Sequence, residues 1–179
     1  TAILNKNFRQ ALNFAIDRTA YSAQSNGQEA ASKTLRNTLV PPTFVQVGDK
    51  TFGEVTASKL VQYGTEWSGI NLADAQDGYF NKEKAQEKFA EAKKELEAQG
   101  VTFPIHLDVP VDQTNKNAVS GMNSLKQTLE TVLGSDNVVI DVQQLSTDDF
   151  GNVAFLAPNP VARDYDLNFD GWVGDYQDP

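Results

Sequence analysis

The sequence predicts an α/β protein built on an open β-α-β-α-β mainly parallel sheet with flanking helices. Three observations carry this. Residues 81–99 and 115–133 repeat apolar side chains at helical spacing. Residues 103–111 and 137–145 are short, apolar and rich in Val and Ile. Helical patterns alternate with these runs, and two strands joined by a helix run parallel.

Taken in order, residues 5–18 (NKNFRQALNFAIDR) read as a helix, with Phe8, Ala11, Leu12, Ala15 and Ile16 on one face and Asn5 or Asn7 as cap. Residues 19–30 continue as a second, weaker helix limited by Gly27. Residues 31–80 have weak periodicity, with Pro41, Pro42 and several glycines; they read as loops pinned by Phe44, Phe52, Tyr63, Trp67, Tyr79 and Phe80. The helix over 81–99 starts at an Asn81 cap, buries Ala85, Phe89, Ala92 and Leu96, and stops at Gly100. Its five Lys and five Glu cancel, which marks a solvated face.

The strand at 103–111 alternates Phe103, Ile105, Leu107 and Val109, with Pro104 and Pro110 near its ends, where a ladder tolerates them. The helix over 115–133 presents Ala118, Met122, Leu125, Leu129 and Val132, and Gly134 closes it. After the strand at 137–145, residues 148–156 form a short helix that ends before Pro158 and Pro160. Residues 166–173 are the third strand candidate. The expected organisation is thus a single unit over 1–179, with a helical and loop-rich portion (1–100) and a β-α-β-α-β portion (101–179).

At 179 residues, with 40% hydrophobic and 9% aromatic residues, the chain can bury one sizeable core. No apolar run is long enough to span a bilayer, and no signal peptide is visible. The start at Thr1 without Met reads as a processed or cut-out piece. The chain has no cysteine, which removes disulfides, thiolate catalysis and thiolate metal sites. The net charge of −9 is uneven: residues 136–179 hold nine Asp against Arg163, so they carry −8 and the first 135 residues −1. Such an acidic end argues against nucleic acid and favours cations, amines or basic peptides.

The C-terminal stretch DLNFDGWVGDYQDP opens like a calcium loop, D-x-[DN]-x-[DN]-G from Asp166 to Gly171. The position that must supply a bidentate carboxylate is Gln177, however, and prolines replace the flanking helices. The alternation of Leu167 and Phe169 with Asp166, Asn168 and Asp170 suits a strand instead. Ligands of open α/β sheets sit beyond the carboxyl ends of strands, which is where Gly171, Trp172 and Asp175 are expected. A glycine lets another backbone approach, Trp172 supplies a flat wall, and a carboxylate suits an amine. An extended peptide could add its main chain here. His106, the lone histidine, is expected to be structural. No G-x-S-x-G, P-loop or G-x-G-x-x-G is present, and no carboxylate pair stands out, so neither an enzyme nor a cofactor or metal is expected.

Four segments resemble one family. Phe8–Arg18 (FRQALNFAIDR) is similar to the R-Q-A-L-x-x-A-I-D-R helix of extracellular oligopeptide-binding proteins, the receptors of peptide ABC importers. Leu39-Val40-Pro41-Pro42 resembles their following loop. Phe80–Ala85 (FNKEKA) resembles the start of a later helix. Trp172–Pro179 (WVGDYQDP) resembles their G-W-x-x-D-Y-x-D-P segment. The Asn-, Gln- and Lys-rich style is most like lipoproteins of Gram-positive cocci. The resemblance implies one lobe of a two-lobed, periplasmic-binding-protein-like (type II) receptor that closes on an oligopeptide by hinge motion. It also implies a location outside the cell, a lipid anchor absent from this segment, an ABC permease as partner, and a monomer. Asp175 is then expected to pair with the peptide α-amine. Gly171 and Val173 would offer main-chain hydrogen bonds, and Trp172 would wall a side-chain pocket. Phe169 stands where some relatives carry a basic residue. Arg9, Asp17 and Arg18 are expected to be structural. A nickel chelate, haem or a signalling peptide remain alternative ligands within the family; a cation-binding surface module, or a hydrolase using His106, are alternatives outside it.

Overall fold

The computed structural model describes residues 2–169. Helices α1 (Lys6–Ala15), α2 (Arg18–Asn26), α3 (Phe52–Leu60), α4 (Lys82–Ala98), α5 (Lys116–Leu133) and α6 (Thr147–Ala154) accompany four strands: β1 (Gln46–Val47), β2 (Lys50–Thr51), β3 (Ile105–Asp112) and β4 (Val138–Leu145). β1 and β2 form a small antiparallel hairpin; β3 and β4 are parallel, with Ile105 opposite Val138 and Asp112 opposite Leu145.

Capping side chains set most helix starts. Asn5, Asp17, Thr51, Asn81, Asn115 and Ser146 each accept a backbone N–H of the first turn. Asp17 explains a boundary that apolar periodicity missed. The helix expected over 5–18 stops at Ala15, because the Asp17 side chain takes the Ala20 N–H and starts α2. Helix α3 lies inside the region expected to be loop. Its signal was Thr51-x-x-Glu54, a reciprocal capping box, obscured by Gly53 in the first turn.

Phe8, Leu12 and Phe14 of α1, Phe89 and Leu96 of α4, and Met122 and Leu129 of α5 share one core with Ile105, Leu107, Val109, Val138 and Ile140 of the sheet. The apolar stripes expected on these helices are therefore the buried faces. Pro110 lies inside β3 rather than at its end. Residues 105 and 113 donate to β4 (Ile105 N to Asn137 O, 2.8 Å; Gln113 N to Leu145 O, 2.9 Å). By alternation an even-numbered residue points to the other edge, where a missing N–H breaks no β3–β4 bond.

The expected loop anchors divide. Trp67, Tyr79 and Phe80 hold: Trp67 packs 5.1 Å from the Phe14 ring, and the Tyr79 ring is 6.4 Å from Trp67. Lys84 adds hydrogen bonds to the carbonyls of Glu66 (2.6 Å) and Ser68 (2.8 Å). Phe44 and Tyr63 do not anchor anything; both are largely exposed.

At the outer edge of β4, an ion pair of α5 takes the place of a neighbouring strand. Glu130 Oε1 accepts the Ile140 N–H at 2.9 Å, Lys126 Nζ donates to the Ile140 carbonyl at 2.7 Å, and the two side chains pair at 2.6 Å. Side chains that occupy edge groups deny them to a foreign strand. Glu130→Ala is expected to lose about 1–3 kcal/mol of stability, because a buried N–H loses its acceptor. Glu130→Gln, which retains an acceptor, should lose less; urea denaturation of the two variants checks the order.

The third predicted strand is only half in view. Residues 166–169 form no regular ladder, and residues 170–173 lie outside the described residues. The reason is visible at Asp166. Its side-chain Oδ2, not a backbone carbonyl, accepts the Asp108 N–H at 3.0 Å.

Candidate functional site

The segment leading to the candidate ligand residues is held on the β3 edge that faces away from β4. Besides the Asp166 carboxylate contact, the N–H groups of Asp166 and Leu167 both donate to the Asp108 carbonyl at 3.1 Å. Leu167 packs against the main core. Phe169 stacks on Tyr21 of α2, ring centroids 6.2 Å apart and planes 30° apart. Tyr21 in turn lies on Gly121 of α5, close enough that a Cβ at 121 would sit 2.8 Å from its ring. Gly171, Trp172, Val173 and Asp175 lie outside the described residues, as do the later positions of the calcium-like loop, and Asp166, its first position, is already committed to Asp108.

Sequence reading did not single out Tyr21 or Gly121. Tyr21 sat in the helix with the weaker pattern. Gly121 carried only a weak signal, since a lone glycine inside a helical pattern is tolerated at a cost of about 1 kcal/mol and does not by itself say what approaches it.

His106 faces Asp141 across the parallel pair, Nδ1 to Oδ2 at 2.7 Å, with both side chains open to solvent. Asp141 lies on the neighbouring strand, and among the described residues no serine hydroxyl is hydrogen-bonded to His106. At the carboxyl ends of the strands, the Thr114 N–H and hydroxyl both donate to Asp112 Oδ1 (2.8 and 2.7 Å), which holds that carboxyl below its ordinary value. Two of the hollows lined by described residues bear on segments named above. One, of about 390 Å³, lies between Pro42, Gly53, Glu54, Leu72 and Asp74. The other, of about 370 Å³, lies at the amino end of β3 between Ile3, Thr102, His106 and Asp166. Among the described residues no group of three or more His, Asp and Glu is placed to hold a metal ion, and no helix is long and apolar enough to cross a membrane.

The residues of the FRQALNFAIDR segment have structural contacts. Arg9 Nη1 donates to the carbonyls of Ile3 and Leu4 at 2.9 and 2.7 Å. Arg18 Nε and Nη2 reach Asp77 Oδ1 at 3.1 and 2.8 Å, and its backbone N–H reaches Oδ2 at 2.8 Å. Arg18 also donates to the Arg36 carbonyl and to Asn37 Oδ1, and lies 5.0 Å over the Tyr79 ring.

Residues 1–179 match the model of the middle region of the bacterial extracellular solute-binding proteins, family 5. The chain belongs to this family. Among the relatives of this family-5 chain is the oligopeptide-binding protein AliB of Streptococcus pneumoniae serotype 4, 62% identical over 178 residues, a match covering 99% of this chain and 27% of AliB. The oligopeptide-binding protein AmiA of the same organism is 57% identical, again over 99% of this chain and 27% of the relative. SarA of Streptococcus gordonii is 54% identical over the same shares. The chain thus spans about a quarter of the length of these curated relatives. Among solved structures, a peptide-binding protein of a peptide ABC transporter superposes with a TM-score of 0.61 at 20% identity, covering 99% of this chain and 64% of that one. Listeria monocytogenes OppA bound to peptide gives 0.60 at 22% identity, covering 99% and 29%. At these identities the likeness establishes the α/β fold.

Proposed function

We propose that this family-5 chain is part of one lobe of a cell-surface receptor that captures oligopeptides for uptake by an ABC transporter. The observation that carries this reading is the 62% identity, across 99% of the chain, to a protein named for oligopeptide binding. In this reading the main-chain groups of Gly171 and Val173 bind the peptide backbone, Trp172 walls a side-chain pocket, and Asp175 receives the α-amine. Backbone bonding gives affinity that tolerates many sequences. A carboxylate–ammonium contact sealed from water is short and strong, and it selects a free amino terminus. The second lobe lies in the rest of the polypeptide and closes over the ligand about a hinge. The receptor acts as a monomer, held at the membrane by a lipid anchor, and delivers peptide to its permease.

The test uses the full-length receptor and calorimetry with free-amine and N-acetylated peptides. Asp175→Asn should weaken binding of the free-amine peptide by more than about tenfold, or 1.4 kcal/mol, while the thermal midpoint holds. Acetylation should weaken binding to the wild type by a similar factor. Unchanged affinity for Asp175→Asn would overturn the assignment.

A further inference from the structure

We propose that the hollow between α3 and the loop before α4 binds an alkylammonium, an organic cation with a short apolar stem, and that Asp74 pairs with its charge; the inference does not rest on the function proposed above. At about 390 Å³ the hollow is within the range of small-molecule sites. Pro42, Ala57, Ile70 and Leu72 give it an apolar wall, and the charged residues that line it are Glu54 and Asp74. Two carboxylates disfavour an anion. A metal ion lacks a third carboxylate or histidine among the described residues. An apolar wall beside carboxylates suits a cation that carries its own hydrocarbon.

Asp74 is the group without a partner. Among the described residues its Oδ1 is shut off from water and accepts no hydrogen bond. Arg36 Nε stands 3.5 Å from Oδ2, while Arg36 Nη1 donates elsewhere, to the carbonyls of Lys33 (3.3 Å) and Leu35 (2.9 Å). A carboxylate partly withdrawn from water without a donor is costly, and an ammonium brings three. The Asp74 side chain is 31% exposed, so a cation in the hollow can reach it. Glu54 adds negative charge. Its Oε2 accepts the Thr51 N–H at 2.7 Å and the Thr51 hydroxyl at 3.0 Å, which holds this carboxyl below its ordinary value.

Both walls are fixed by contacts of their own. On one side the Gly53 N–H donates to the Pro42 carbonyl at 3.0 Å, and a Cβ at 53 would lie only 2.5 Å from Pro42 Cβ. On the other, Ala75 has a φ of 62°, the one positive value at a non-glycine among the described residues. Such a backbone is unfavourable for a residue with a Cβ and persists where its surroundings overdetermine it. Here the Leu35 carbonyl accepts the Ala75 N–H at 3.0 Å, and Asn37 Nδ2 donates to the carbonyls of Ala73 and Gln76. Asp74 sits between these clamps.

The experiment is saturation-transfer NMR on the full-length receptor, titrated with hexylammonium and, as matched stems, hexanol and hexanoate. Hexylammonium should bind saturably. Hexanol should bind about fivefold more weakly, the factor for one partly exposed charge pair, and hexanoate more weakly still. Asp74→Asn keeps the shape and should weaken hexylammonium by about the same factor. Ala57→Phe fills the hollow from α3, leaves both carboxylates in place, and should weaken it by more than about tenfold. Thermal midpoints establish that each variant is folded, and Asp74→Asn reports even where Ala57→Phe folds poorly. Putrescine and Nα-acetyl-lysine amide, as competitors, separate a free amine from a basic side chain as the source; displacement of the probe by either supports the site. No saturable binding of hexylammonium, equal affinity for hexanol, wild-type affinity in either folded variant, or displacement by neither competitor overturns the inference.

Discussion

Phe14→Ala is expected to lower the unfolding free energy by about 3–5 kcal/mol, the range for truncating a buried aromatic. Phe14 is fully buried, and more than helix packing depends on it. Its ring receives Trp67 at 5.1 Å, the Lys84 ammonium lies 5.7 Å from its centroid, and its carbonyl accepts the Asn81 N–H at 2.9 Å. Trp67 in turn contacts Tyr79. The side chain is therefore the receptacle on which the long irregular stretch between α3 and α4 is seated. Truncation leaves a cavity and releases Trp67 toward water, so a red-shifted tryptophan emission should accompany the lost stability. Urea denaturation followed by circular dichroism measures the first effect and fluorescence the second. Phe14→Leu should lose less and leave the emission nearer to wild type. A loss under about 1 kcal/mol would mean that the cavity closes by collapse and that the loop has other anchors.

Asp77→Ala is expected to lose about 3 kcal/mol at neutral pH, the low end for breaking a buried ion pair, because Arg18 retains some contact with water. The side chain of Asp77 is 8% exposed and that of Arg18 27%. Asp77 accepts three hydrogen bonds from Arg18 and two more from the N–H groups of Tyr79 and Phe80. Removing it leaves a partly buried guanidinium unpaired and frees the loop from α2. Asn37, itself buried, connects the same loop by donating to the carbonyls of Ala73 (2.6 Å) and Gln76 (3.1 Å). Burial alone would push the Asp77 carboxyl up, but the hydrogen bonds from Arg18 and Tyr79 and the Arg18 charge outweigh it, holding the carboxyl below its ordinary value. A carboxyl depressed in the folded state contributes stability that is complete above its unfolded value and is lost as pH falls through the folded one. The gap between wild type and Asp77→Ala should accordingly be full at neutral pH and shrink in acid. Unfolding curves across that range would contradict the account if the gap stayed constant or grew.

How much was legible in the sequence differs by element. The stripe Ala85, Phe89, Ala92 and Leu96, capped by Asn81, predicted α4 because periodicity and cap agree over a long window. The parallel β3–α5–β4 unit followed from a helix placed between two apolar runs. The Asp17 cap, the Thr51–Glu54 box and the ion pair at Ile140 were harder to read. Each depends on a side chain choosing one of several backbone partners, and composition does not rank those choices. For the candidate site, the motif from Trp172 to Pro179 was legible as a resemblance, whereas the alternation over residues 166–169, read as a strand, forms no regular ladder. The Asp166 contact to Asp108, which replaces a ladder bond, and the Tyr21–Gly121 support were not legible, because they join positions far apart in the chain.

The amino-acid sequence by itself determined the fold class, the faces of the long helices, the parallel pair and the family, since periodicity, caps and ordered motifs are local properties. Tertiary structure alone decided which edge of β3 receives the C-terminal segment, what seats the loop before α4, and why α5 carries a glycine. These are close approaches between distant segments, set by which donors and rings remain unpartnered once the core has closed.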